Sequence, residues 1–489
     1  MSSCGNPNVE GDSLMPKRPK YDRSKACVKC KLNTGNIVIR HAVYCKECFF
    51  PLISIRFRRT LESHVNPTPQ LHRRKGLKAS GNLLVGFSGG LGSSVLLDLI
   101  YKTYLTPNER QEGDQNPNGG CPWPNVFVAS VDISGALNAA PTSSNINFQQ
   151  VVESYSSNFK CISLKLEDAF DLIWWKEIGG YESQTRGFDI VNEEILLRAL
   201  SDDSSSPAEY LRTYISSLPT STAVANGIQN LIRMLLLYTA ASKRCSHLLL
   251  GTSLTSLSIS LISSISQGGG YSVKEEAYEE WSYRKNQETI NQSVRVIRPL
   301  RDLGTKECAF WAWWCRLKIV RKHRYLGGRQ DIAALTRDFI VGLEKDYPST
   351  VSAIARTCSK LTTKEDSDAK CLMCGRPVQA GIQDWKHKIS IRSYSDVNTD
   401  DELPQHVRRP PEAPQSQDIR AFDAITSRLC YACHTTWTSK GIRGGTTKGT
   451  DIPAPVWVNA HPTNGELWTR KRLGVEEMHA AIADSLLDP

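Results

Sequence analysis

Two residue patterns in this chain are suited to chemistry. The first is Ser88-Gly89-Gly90-Leu91-Gly92-Ser93-Ser94, set between the apolar run Leu83–Phe87 and the helical pattern Val95–Ile100. Glycines let a backbone approach an anion, and the free amides of a helix start point at it, so the layout is that of a phosphate cradle. Its nucleotide-binding candidates are Ser88, Gly89, Gly90, Gly92, Ser93 and Ser94, and none of them is an acid. The second pattern is four Cys-x-x-Cys pairs. Cys27/Cys30 and Cys45/Cys48 are separated by fourteen residues, and two such knuckles facing each other give the four-sulfur shell that zinc prefers. An iron–sulfur cluster uses the same ligand type, so the metal stays open between the two. Either way, four thiolates leave no position for substrate, and the role expected is structural.

The second set, Cys371/Cys374 with Cys430/Cys433, spans a gap of 55 residues rich in Pro and charge around Asp400–Gln417. Gly375 suits a tight turn after the first knuckle, and His434, beside Cys433, reads as a lone exposed side chain rather than a ligand. Outside these pairs, Cys161 and Cys245 sit in apolar stretches. Cys308 and Cys315 lie at helical spacing among Phe310, Trp311, Trp313 and Trp314, and all four cysteines read as packing.

These residues need a scaffold. At 489 residues the chain is long enough for two or three domains with a buried core. From Leu83 to Arg324, apolar runs (Leu83–Phe87, Val126–Ile133, Phe159–Leu164, His247–Leu250 and Val294–Ile297) alternate with helical patterns. The clearest of those patterns holds Ile228, Leu231, Ile232, Leu235 and Leu236. This order predicts an α/β fold, a parallel sheet with helices on both faces, flanked by N- and C-terminal ribbon-like cysteine modules. Expected segments are a polar leader (1–25), the first cysteine module with a basic helix (26–77), the α/β domain (78–330), a helical connector (331–370), the second cysteine module (371–440) and a tail (441–489). Pro107–Pro124 and Ser201–Pro207 read as inserted loops.

No run approaches the roughly 18 apolar residues of a membrane span, and the leader lacks the apolar core of a signal peptide. Fifteen cysteines without an export signal point to reduced thiols and metal binding. A formal charge of +10 favours an acidic partner. The basic candidates for RNA phosphates are Arg56, Arg58 and Arg59, then Arg73, Arg74 and Lys75, and finally Arg321, Lys322 and Arg324, with Trp and Tyr available for stacking.

The ordered combination of Cys27-Val28-Lys29-Cys30, Tyr44-Cys45-Lys46-Glu47-Cys48-Phe49, Ser88-Gly89-Gly90 with Ser93-Ser94, Arg298-Pro299-Leu300-Arg301-Asp302 and the terminal cysteine pairs resembles a known group. It is similar to the PP-loop ATP pyrophosphatase superfamily of tRNA 2-thiolation enzymes, and within it to the cytoplasmic tRNA 2-thiolation protein 2 family. Active members of the superfamily place an acid where this chain has Gly92. They also carry Gly-His-Asn-Ala-Asp-Asp where this chain reads Gly251-Thr252-Ser253-Leu254-Thr255-Ser256, and a cysteine near Ser221-Thr222-Ala223-Val224.

The resemblance therefore implies a cytoplasmic subunit with no catalytic residues of its own, with zinc as cofactor and ATP doubtful in this chain. It implies tRNA and a catalytic paralogue (cytoplasmic tRNA 2-thiolation protein 1) as partners, the latter in a heterodimer. The implied task is 2-thiolation of the wobble uridine of lysine, glutamine and glutamate tRNAs, with sulfur from a thiocarboxylated ubiquitin-related modifier. An autonomous ATP-dependent tRNA sulfurtransferase and a non-enzymatic zinc adaptor are the alternatives.

Overall fold

The computed structural model describes residues 25–39, 42–66, 77–106, 121–136, 148–155, 158–180, 185–191, 194–200, 205–283, 292–319, 331–358, 360–361, 369–379, 381–382, 425–439 and 452–458. The first cysteine module is an antiparallel ribbon of β1 (Ile37–Ile39) and β2 (Ala42–Tyr44), running into α1 (Lys46–Glu62). One side of α1, carrying Phe49, Ile53, Phe57 and Leu61, is fully buried, so this helix is fastened to the body of the protein.

β3 (Asn82–Gly86) leads through the Ser-Gly-Gly turn into α2 (Leu91–Ile100), followed by β4 (Val126–Asp132), α3 (Phe148–Glu153), β5 (Phe159–Lys165) and α4 (Leu172–Glu177). An antiparallel hairpin, β6 (Arg186–Val191) and β7 (Glu194–Ala199), precedes α5 (Pro207–Ser217) and the long α6 (Ser221–Ser242). Pro207 opens α5 rather than closing a loop, because Ser206 caps the helix and exchanges hydrogen bonds with Glu209. The chain continues with β8 (Cys245–Leu250), α7 (Leu254–Ser266), α8 (Val273–Ala277), β9 (Glu279–Tyr283), β10 (Gln292–Ile297) and α9 (Thr305–Trp314). The last elements are α10 (Ile332–Asp346), α11 (Pro348–Cys358), α12 (Tyr431–Thr438) and the short β11 (Ile452–Pro453).

The central sheet has the order β5-β4-β3-β8-β10-β9, parallel throughout except for β9. All five predicted strands are in it. Side chains alternate across it: Leu83 and Val85 face α1, α2 and α9, while Leu84 and Leu248 face α6. Successive strands proceed one way from β3 to β5 and the other way through β8 and β10. β3 and β8 therefore flank a topological switch point, with Gly86 opposite Leu250 at their carboxyl ends. In open α/β sheets the loops at such a point form the ligand crevice. The Ser-Gly-Gly turn and the Gly251–Ser256 segment both leave from there.

The expected connector, 331–370, contains α10 and α11, which pack on α7 around Leu257, Leu261, Ile340 and Val351. The expected tail contains β11, which pairs with β6, and Trp457 and Val458, which are buried in the same core as α6. β6, β7 and β11 form a small separate sheet in which β6 and β7 are a hairpin and β11 joins β6 from far along the chain. Among the described residues no helix is long and apolar enough to cross a membrane.

Candidate metal centres and phosphate loop

The six loop candidates form one turn, and Gly89 adopts a left-handed φ of 69° that a side chain would strain. Two of the three hydroxyls of the turn, those of Ser88 and Ser93, bond within the turn. Ser93 Oγ accepts from the Ser88 amide at 3.3 Å, contacts Ser88 Oγ at 3.3 Å and donates to the Gly90 carbonyl at 3.0 Å. Ser94 Oγ is buried with no partner.

Gly92 has a specific steric cause. A Cβ there would stand 1.9 Å from the Gly251 carbonyl oxygen, and a Cβ on Gly251 would stand 2.5 Å from the Gly92 carbonyl carbon. Two backbones meet at the switch point without room for a side chain on either, so a carboxylate at position 92 requires the β8–α7 loop to move. The Ser88 amide is already engaged, and neither loop carries an acid.

The Ser253 and Thr255 hydroxyls of the Gly251–Ser256 segment bond to α7, α9 and α10. Ser253 caps α7, accepting from the Ser256 amide at 3.2 Å. Thr255 Oγ1 contacts both oxygens of Glu344, on α10, at 2.9 and 2.8 Å and accepts from the Thr305 amide at 3.0 Å. Burial pushes the Glu344 carboxyl above the usual range. At Ser221–Val224, Thr220 caps α6 through the Ala223 amide at 3.0 Å, and Thr222 accepts from the Ile332 amide at 3.3 Å. No thiol stands at those positions.

Both cysteine sets assemble. The four Sγ atoms of Cys27, Cys30, Cys45 and Cys48 lie within 4.8 Å of one another, as do those of Cys371, Cys374, Cys430 and Cys433. Contacts of 3.8 Å (Cys30–Cys45) and 3.6 Å (Cys374–Cys430) match the edge of about 3.8 Å of a tetrahedron with metal–sulfur bonds of about 2.3 Å. A four-iron cluster binds each cysteine at a different iron and spreads the sulfurs wider, so the spacing fits one tetrahedral ion better.

The thiols within each cluster differ in acidity. Contacts with Cys371, Cys430 and Cys433 pull the Cys374 thiol well below its usual range, while neighbouring sulfurs push Cys430 and Cys433 well above it. In the first cluster burial raises Cys27, but the backbone amides of Cys30, Cys45 and Lys29 outweigh it and bring the thiol down to about 6. Cys48 is pushed up to about 12 by desolvation and by Cys45. The backbone amides of Asn33 and Leu32 also lower the Cys30 thiol, and a bound cation would favour the thiolate form of all four.

Around the second cluster the sequence reading missed a charge network. Arg376 reaches Glu276 at 2.5 Å, Arg298 approaches the same carboxylate at 3.9 Å, and Ser260 donates to it at 3.0 Å. Arg233 bridges Glu279 and the carbonyl of Cys374. Arg298 belongs to the Arg-Pro-Leu-Arg-Asp motif; the other members are single charged residues in separate elements, without a spacing that signals them. His434 is wholly buried, its ring facing Thr438 at 3.4 Å, which corrects the expectation of an exposed side chain. It stands outside the four-sulfur set. Cys245 and Cys308 are buried, as packing requires. Cys161 and Cys315 are half-buried, and Cys315 Sγ lies 3.2 Å from Lys102 Nζ.

Of the basic candidates, Arg56 pairs with Glu307 at 3.2 Å, Arg58 with Glu62 at 2.8 Å, and Arg59 is exposed on α1. Arg73, Arg74, Lys75, Arg321, Lys322 and Arg324 lie outside the described residues.

Residues 331–435, spanning α10, α11 and the second cysteine set, match the model of a family described as cytoplasmic tRNA 2-thiolation protein 2. The chain is 24% identical over 398 residues to the protein of that name from Danio rerio, covering 73% of each. It is 26% identical over 385 residues to the one from Phaeosphaeria nodorum, covering 74% of this chain and 88% of the relative. Among solved structures it is similar to the U34-tRNA thiolase NcsA from Methanococcus maripaludis with its 4Fe–4S cluster, at 18% identity and a TM-score of 0.43, covering 70% of this chain and 90% of that one.

Proposed function

We propose that this chain, whose residues 331–435 match the cytoplasmic tRNA 2-thiolation protein 2 family, is a member of that family and the non-catalytic, tRNA-binding half of a cytoplasmic tRNA 2-thiolation enzyme. The active half is a catalytic paralogue in a heterodimer. The paralogue activates C2 of the wobble uridine in lysine, glutamine and glutamate tRNAs with ATP, releasing pyrophosphate. Sulfur originating from a thiocarboxylated ubiquitin-related modifier then displaces AMP.

The observation that carries the reading is the close approach of Gly92 and Gly251, which removes the place for an acid from a loop that otherwise keeps its backbone form. Adenylation needs a cation to offset phosphate charge, and sulfur transfer needs a thiolate. The crevice offers neither a loop carboxylate nor a thiol at Ser221–Val224. In this reading each cysteine cluster holds zinc, which crosslinks segments distant in sequence and has no open coordination position. The basic residues Arg56, Arg58, Arg59, Arg73, Arg74, Lys75, Arg321, Lys322 and Arg324 contribute to holding tRNA phosphates.

The test is thiolation in vitro with this chain alone, the paralogue alone and both together, following thiouridine formation and AMP release. Activity is expected only from the pair, or from the paralogue weakly. Thiouridine and AMP from this chain alone would make it an autonomous sulfurtransferase. Full activity of the paralogue alone would remove its role.

A further inference from the structure

Among the described residues Trp313 is the one tryptophan that is mostly exposed, at 69%. It does not stand alone. Lys306, Phe310 and Trp313 follow the i, i+4, i+7 spacing that places side chains on one face of α9. Phe310 meets Trp313 at a centroid distance of 6.3 Å and Trp314 at 5.2 Å, and Trp314 in turn packs on Phe49 at 5.0 Å and Phe50 at 5.9 Å. The exposed indole therefore rests on a chain of rings that ends in the core, and stacking on it orders little that is not already ordered.

The exposed charges at the ends of this helix are positive. Lys306 lies one turn before Phe310, and Arg316 and Lys318 follow the helix end, all three exposed. Lys102, 5.3 Å from the Trp311 ring, is paired with the buried Asp98 at 2.9 Å, so the net positive charge comes from the helix ends. The one acid of α9, Glu307, is turned inward, where it accepts from the Gly304 amide at 2.8 Å and pairs with Arg56 at 3.2 Å. A rigid aromatic face bordered by cations offers a π surface for bases and positive charge for phosphates, the combination that single-stranded nucleic acid takes.

We propose that the α9 face bearing Phe310 and Trp313, with Arg316 and Lys318 at its end, is a stacking platform for unpaired bases of an RNA loop. This rests on the reading of the chain as a tRNA-binding subunit and assigns a surface for it.

The experiment measures binding of the full chain, by fluorescence anisotropy, to a labelled 17-nucleotide anticodon stem-loop RNA and to a fully paired RNA duplex. Trp313→Ala is expected to weaken stem-loop binding about tenfold and duplex binding little, with Trp313→Phe within about threefold of the unmodified chain. Arg316→Ala with Lys318→Ala is expected to lower the slope of log affinity against log salt by about 1.4. Thermal melting establishes that the variants are folded. If the unmodified chain binds the stem-loop and Trp313→Ala binds it equally well, the platform is wrong while RNA binding stands. Equal weakening on loop and duplex also overturns it, since stacking on unpaired bases is then not the cause. If the unmodified chain binds neither RNA, the platform and the tRNA-binding reading fail together. A variant with unchanged RNA binding but altered self-association identifies a protein contact and overturns the proposal.

Discussion

The two cysteine clusters have the same ligand set and the same compactness, yet the protein builds them differently. In the first, Cys30 and Cys48 are half-exposed, the flanking residues Val28 and Leu32 point to solvent, and a short hairpin supplies the frame. In the second, all four cysteines are buried and share a core with α6 and β10. Arg233, Arg298, Arg376, Glu276 and Glu279 surround that cluster's first knuckle. The difference teaches what each centre supports. The first organises an edge, and its loss leaves most of α1 still buried. The second joins the loop after Cys371, α12 and the sheet, so its loss strands buried charge as well as sulfur.

Substituting one ligand in each cluster tests this contrast with the largest effect. Cys374→Ser is expected to abolish the cooperative melting transition or lower stability by about 5 kcal/mol or more. Cys30→Ser is expected to lose one of two bound metal equivalents, counted by native mass spectrometry, while shifting the main transition by no more than about 4 °C. Equal responses would erase the distinction.

A smaller and sharper probe leaves the sulfurs alone. Glu276→Gln removes the anion between Arg376 and Arg298, both held in the interior, and is expected to cost roughly 3–5 kcal/mol in urea unfolding. The metal content of the first cluster should be unchanged. Arg376 and Arg298 hold the Glu276 carboxyl below its usual range despite burial, so this contribution is present at neutral pH and fades as pH falls. If Glu276→Gln unfolds like the parent, the network is not what anchors the second cluster.

Acid sensitivity also has a source away from both clusters. His247 is buried in β8, accepting from Trp123 Nε1 at 3.2 Å on Nδ1 and donating from Nε2 to the His64 carbonyl at 3.0 Å, which fixes a neutral ring. Burial brings its pKa down to about 4. The unfolded chain takes up this proton near the ordinary value of about 6.5, so stability falls between those two values as pH is lowered, by about 3 kcal/mol in all. His247→Gln should flatten that part of the pH–stability curve and leave metal release by acid in place. A curve unchanged by the substitution would assign the acid loss to the thiolates alone.

The sequence was most legible where a local signal and a global role coincide. Strands such as Leu83–Phe87 are apolar because both faces of the sheet are covered, and the four Cys-x-x-Cys pairs announce their chemistry by spacing. β6 and β11 were illegible because Phe188 and Ile452 pair across more than half of the chain, with no local pattern to mark it. His434 looked exposed because its neighbours in sequence are small and polar. Its burial comes from the packing of α12, which places Trp437 against Tyr214 at 5.0 Å.

The sequence by itself determined the sheet order's raw material, the ligand types and the absence of an acid at Gly92. Only the tertiary structure decided why that acid is absent: the backbone of Gly251 occupies the space. It also decided that one cysteine cluster sits at an edge and the other in a charged core. Residue type and spacing set what a group can bind, whereas burial and neighbouring charge, which come from distant segments brought together, set what its loss costs.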